Sequence, residues 1–290
     1  MQRGNQINLM VGLLLVAVAF IAWWQPGVDR PTTPMPTRLT QVTPEQVSHI
    51  NISRRGQAAL ELVKDANFWS LKLGARTLPV ASWRVENILR LLVSESGAQW
   101  PVTPTDLPQF DLAPPLMQLT FNSTVVALGG LETLSSRRYA LANGTLHLIE
   151  DKLYRQLMLD PMELVDLQLL PGKPSLQSVN FGRWRVALDE QGAWRVIGIV
   201  MQTSADTATA FIDEWRYAEG LEVRTLDPKL KASNTATVTL ADGHAIYFKW
   251  TRGAHDAWMM REDLGLMYRL PLDVLQRLTD FSPHLSAQNR

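Results

Sequence analysis

The chain predicts an α+β protein: an N-terminal transmembrane helix followed by two similar repeats, each a mainly antiparallel sheet with one amphipathic helix. Three observations carry that expectation. Ile7 to Trp24 is a run of 18 residues without a charge. Behind it, apolar patterns recur in the same order at a spacing of 121 to 125 positions. Between those patterns stand hairpin dipeptides, Asn143-Gly144 and Asp242-Gly243, each flanked by alternating apolar residues.

A helix of 18 uncharged residues meets the lower limit for crossing a hydrocarbon core of about 30 Å. Ile7, Leu13, Leu14, Leu15 and Phe20 supply its lipid-facing surface, and Trp23 and Trp24 close it where aromatic rings favour the interface. Arg3 precedes the run, while Asp29 and Arg30 cancel after it, so the bias places the N-terminus in the cytoplasm and the rest outside. A cleaved signal peptide is the competing reading, because Ala17-Val18-Ala19 has the small-x-small form. The bulky Phe20, Ile21, Trp23 and Trp24 that follow favour an uncleaved anchor. Residues 1–27 are therefore read as cytoplasmic tip and anchor. Residues 28–44, with Pro31, Pro34, Pro36 and Pro44, read as a semi-stiff spacer.

The two repeats are expected over 45–172 and 173–290. In the first, strand-like His49–Ser53 leads to Ala58–Val63 and then Phe68-Trp69-Ser70-Leu71; in the second, Ser178–Phe181 leads to Trp184–Leu188 and Ala193-Trp194-Arg195-Val196. Trp194 stands 125 positions after Trp69 and takes the same place as a core residue. A helix follows in each. Val85, Ile88, Leu89 and Leu92 form an i, i+3, i+4, i+7 stripe, and Ala208, Phe211, Ile212 and Trp215 repeat it 123 positions later. Thr203 and Asp206 fit a capping box before the second helix. Strand pairs come next in both halves, and each half closes on a short helix marked by Leu153 and Leu157 or by Val274 and Leu278. The Pro-rich Trp100–Pro115 stretch has no equally proline-rich counterpart and reads as a surface excursion.

The bulk numbers narrow the partners. Lys and Arg number 28, as do Asp and Glu, so the neutral chain has no electrostatic footprint for nucleic acid. There is no cysteine, which removes disulfides, thiolate metal sites and a cysteine nucleophile. None of the five histidines falls into metal-ligand spacing, and His49, His147 and His244 read as surface or edge residues. No Gly-x-Ser-x-Gly elbow occurs, and Gly129-Gly130 is not followed by a phosphate-binding pattern. Only scattered carboxylates, Glu132, Glu150, Asp151 and Asp160, are left for hydrolysis. Arg54-Arg55 and Arg137-Arg138 read as solvated strand ends. Trp184, Trp194, Trp215, Tyr217, Trp250 and Trp258 serve either core packing or a groove for peptide or glycan.

The order of these motifs resembles a known family. A membrane segment is followed by Ile50-x-Ile52, by Phe68-Trp69-x-Leu71 and by a helix; then come Phe110-Asp111-Leu112-Ala113-Pro114-Pro115, a strand ending in Leu128-Gly129, and Arg138-Tyr139-Ala140. This pattern, over roughly residues 45–280, resembles the bacterial domain-of-unknown-function family numbered 4340, with Phe110 standing where that family carries glycine. The resemblance implies an extracytoplasmic, membrane-tethered protein associated with ABC-type exporters or gliding-type auxiliary subunits. It supplies no catalytic residue and no cofactor. The expectation is therefore a non-enzymatic, single-pass accessory or scaffold protein of the bacterial inner membrane with its C-terminal part in the periplasm. Its partners are the bilayer and an integral membrane protein. The alternatives are a periplasmic glycan- or peptide-binding module and an envelope hydrolase.

Overall fold

Alternation at every second residue makes His49–Arg54 a strand, β1, with Ile50 and Ile52 fully buried on one face. In the computed structural model, which describes residues 37–158, 160–198 and 203–281, the same pattern builds two large antiparallel sheets. The first adds β2 (Leu60–Asp65), β3 (Phe68–Leu73), β4 (Arg76–Pro79), β5 (Gln99–Pro101), β6 (Met117–Phe121), β7 (Thr124–Leu131), β8 (Arg138–Ala142) and β9 (Thr145–Ile149). Its order is β4-β3-β2-β1-β6-β7-β8-β9-β5. The second contains β10 (Leu176–Asn180), β11 (Arg185–Leu188), β12 (Trp194–Ile197), β13 (Glu222–Thr225), β14 (Asn234–Leu240), β15 (Ala245–Arg252), β16 (Asp256–Arg261) and β17 (Leu266–Pro271). Its order is β12-β11-β10-β14-β15-β16-β17-β13. Without β4, the first order matches the second strand for strand.

Helices fall at matching places too. α1 (Ser82–Leu89) and α3 (Ala205–Tyr217) each precede the strand that ends up at the sheet edge, and α2 (Tyr154–Leu157) and α4 (Leu272–Thr279) close the two units. Both apolar stripes are buried: Val85, Ile88 and Leu89 on α1, and Ala208, Phe211, Ile212 and Trp215 on α3. Leu92 is also buried, but in the 3-10 turn Arg90–Val93 that continues α1. The first unit fills its core chiefly with aliphatic side chains, with Trp69 and Phe121 among them. The second uses rings: Trp215 meets Phe248 at 5.2 Å between centroids, and its indole N–H donates to the Leu278 carbonyl at 2.8 Å. Asn143 (φ 49°) and Gly144 (φ 75°) both take the positive φ of the turn whose twist suits a two-residue hairpin between β8 and β9.

Four expectations change. The cap of α3 is Ser204, not Thr203, because its hydroxyl accepts the Thr207 N–H at 3.1 Å. Trp69 is buried, while Trp194 is only partly covered. The reason is positional: β4 shields β3, whereas among the described residues nothing lies beyond β12. The spacer ends early, since Leu39 and Thr40 are already buried and their N–H groups donate to Ser94 and Leu92 carbonyls. The Pro-rich stretch is a cover. Leu107, Phe110 and Leu112 pack on Ala127, Tyr139, Leu141 and Leu146, on the outer face of the first sheet. Gly129 permits that approach, because a Cβ there would stand 2.1 Å from the Phe110 carbonyl oxygen.

The segment from Leu164 to Leu170, which lies between α2 and β10, joins the sheets. Ala81 N–H donates to Leu164 and Asp166 N–H to Pro79, pairing the segment with the chain that leaves β4. Further on, Leu169 N–H donates to Ala218 and Gly220 N–H to Leu167, at the entry to β13. Val165, Leu169 and Leu170 are buried, and one continuous apolar core extends across both sheets. The described residues from Arg38 to Phe281 accordingly form one compact unit. Among the described residues no helix is long and apolar enough to cross a membrane. The expected anchor, including Ile7, Leu13, Leu14, Leu15, Phe20, Trp23 and Trp24, lies outside the described residues.

Candidate functional site

The joining segment creates a cleft of about 660 Å³ on one of its flanks. One wall is the end of β3, where Phe68 points away from the side that Trp69 and Leu71 bury. The other is the first turn of α1, where Trp83 lies off the Val85-Ile88-Leu89-Leu92 stripe and so faces outward. Phe68 and Trp83 are 58% and 56% exposed, which is high for large rings lining a concavity. Glu86, Asp166 and Glu219 add carboxylates from α1, the joining segment and the residues after α3. Asp166 accepts the Gln168 N–H at 3.0 Å; the side chains of Glu86 and Glu219 have no hydrogen-bond or ion-pair partner among the described residues.

The floor is fixed by a turn. Gly172 (φ 76°) and Lys173 (φ 50°) are both left-handed, and a Cβ on Gly172 would stand 2.6 Å from the Phe68 ring. Only glycine lets that ring lie flat there. Lys173, the single lysine of the cleft, sits with its ammonium 5.1 Å from the Tyr217 ring centroid. A smaller cleft of about 420 Å³ includes Arg84, Glu163 and Arg224 in its lining. The Arg84 guanidinium lies 4.5 Å from the Trp83 ring centroid, so one face of that indole already holds a cation.

The carboxylates singled out from the sequence are committed elsewhere. Glu132 accepts hydrogen bonds from Ser135 and Leu134, which hold its carboxyl below the usual range. Glu150 is lowered chiefly by its hydrogen bond from Lys152. Asp151 forms a two-pronged pair with Arg138, at 2.5 and 3.1 Å. Asp160 accepts the Met162 N–H at 2.8 Å and caps a short helix, Pro161–Leu164. Each of the four is engaged by its own neighbours rather than by another of the set. Among the described residues no His, Asp and Glu group is arranged to hold a metal ion.

Three readings of polar residues are corrected. Arg54 and Arg138 are buried, not solvated. Arg54 reaches the Leu157 and Ala58 carbonyls at 3.3 and 3.0 Å, and Arg138 also lies 3.6 Å over the Tyr154 ring. Their long stems run through apolar surroundings while the guanidinium satisfies carbonyls that no strand reaches. His147 is buried as well, because Thr145, His147 and Ile149 share the core-facing side of β9; burial pushes its imidazole below the ordinary value. The aromatic residues of the second half do not line a groove together. Trp215 and Trp250 are core, and Phe181 stacks on Trp184 at 4.3 Å. Tyr217 alone of that set reaches the cleft's margin, through Lys173.

No family model matches this chain, and no curated protein or solved structure matches it.

Proposed function

We propose that this protein is a membrane-anchored accessory or scaffold component of a bacterial inner-membrane assembly, such as an ABC-type transporter system, with its folded part in the periplasm and no catalytic step of its own. The observation that carries the reading is the uncharged run from Ile7 to Trp24, closed by two tryptophans and followed by a proline-rich spacer. Support also comes from the likeness of the motif order to the domain-of-unknown-function family numbered 4340. The local commitment of Glu132, Glu150, Asp151 and Asp160 weighs against an envelope hydrolase.

The test is affinity purification of the full-length chain from detergent-solubilised membranes. The reading predicts that integral membrane subunits copurify in fixed proportion. Recovery of the chain alone, together with turnover of peptidoglycan, peptide or ester that one Asp→Asn or Glu→Gln change abolishes, contradicts it.

A further inference from the structure

We infer that the cleft beside the joining segment, walled by β3 and α1, is a peptide-binding site that takes an extended segment carrying arginine or lysine, supplied by a partner protein. The inference deepens the accessory-protein reading and rests on it for the source of the peptide. Four features point to this ligand. The volume of about 660 Å³ falls within the roughly 300–1,000 Å³ of ligand pockets, enough for several residues rather than one side chain. Phe68 and Trp83 present exposed rings from two different elements, β3 and α1. Rings so placed favour a cation on their faces, and the Arg84 guanidinium 4.5 Å from the Trp83 centroid shows that indole holding one.

Charge selects the sign of the guest. Glu86, Asp166 and Glu219 outnumber Lys173, the only basic residue of the cleft, and that ammonium is turned to Tyr217. Glu86 and Glu219 come from separate elements and keep their carboxylate oxygens available to an incoming guanidinium or ammonium. A neutral glycan would use the rings but leave these carboxylates without a charged partner. An anionic guest would meet repulsion.

The elements that form the site also explain its permanence. Its lining comes from β3, from α1 and the residues just before it, and from the joining segment through Lys173, with Glu219 the one residue that follows α3.

The experiment is calorimetric titration of the detergent-solubilised full-length protein with three synthetic octapeptides. One alternates glycine and arginine, one alternates glycine and glutamate, and one alternates glycine and serine. The inference predicts binding of the arginine peptide alone, weakening as salt is raised. Trp83→Ala and the double change Glu86→Gln/Glu219→Gln should each weaken it about tenfold or more, while Tyr247→Ala, an exposed ring on the second sheet, leaves it unchanged. These side chains are exposed or unpaired, so the variants fold; an unchanged melting temperature verifies it. No binding of the arginine peptide to the wild type, equal binding of all three peptides, or undiminished binding to the cleft variants overturns the inference. If membrane subunits still copurify in that case, the accessory reading stands without the cleft. If the arginine peptide binds but no subunit copurifies, the cleft stands and the accessory reading fails.

Discussion

Among the described residues three arginines are buried to within a few per cent: Arg54, Arg138 and Arg261. Each donates to a main-chain carbonyl that lies outside the sheet ladders or beside them, Arg261 doing so to Leu169 at 2.7 Å in the joining segment. A buried guanidinium is tolerated when its donors are satisfied, and removing one partner leaves a charge without compensation. Arg138→Leu should therefore lower stability by about 3–5 kcal/mol in urea unfolding, because it strands the largely buried Asp151. Arg138→Lys should recover little, since an ammonium cannot make the two-pronged contact. An Arg138→Leu protein as stable as wild type would show that the pair carries no weight. His147 behaves in the opposite sense. Its imidazole is held neutral by burial, below its ordinary value of about 6.5, so unfolding lets it take up a proton. Its contribution is complete above about pH 6.5 and is lost as the pH falls below that value. The melting temperature of wild type should drop more between pH 7 and pH 5 than that of His147→Gln. Equal drops would contradict the burial argument.

At the scale of elements, the twin tryptophans test how far equivalence goes. In both units the tryptophan lies two residues before the residue that pairs into the middle of the sheet: Trp69 before Leu71, which faces Leu62, and Trp194 before Val196, which faces Val186. Same register does not mean same burial. Trp69→Ala should cost about 3–5 kcal/mol, the range for a buried ring, whereas Trp194→Ala on the outermost strand should cost clearly less. Equal losses in thermal or urea unfolding would mean that something else covers Trp194. This element-level symmetry was legible from the sequence because apolar period and spacing are local properties. The stripe ending in Leu92 and the stripe ending in Trp215 needed no tertiary knowledge. The extra strand β4 was not legible, since Arg76-Thr77-Leu78-Pro79 is too short and too mixed to show alternation, and it is that strand which breaks the equivalence.

At the scale of the molecule, the segment from Leu164 to Leu170 matters most and was least visible. Its leucines and valine fall in no strand or helix that the sequence pattern marks, yet they hydrogen-bond both sheets and complete the core. The cleft beside it had one sequence signal. Trp83 falls out of phase with the α1 stripe, and a tryptophan on the polar side of an amphipathic helix calls for an external contact. The carboxylates Glu86, Asp166 and Glu219 carried no such signal, because their proximity depends on how distant segments meet. The same holds for the buried arginines, whose composition alone reads as surface. The central claim, a body held outside the cytoplasmic membrane by Ile7 to Trp24, is tested most directly by topology and N-terminal sequence together. A periplasm-dependent phosphatase fused after Pro44 should be active, a cytoplasm-dependent reporter at the same site should be silent, and the mature chain should retain the anchor. An inactive phosphatase, or a mature chain that begins just after Ala19 or Ala22, would contradict the account.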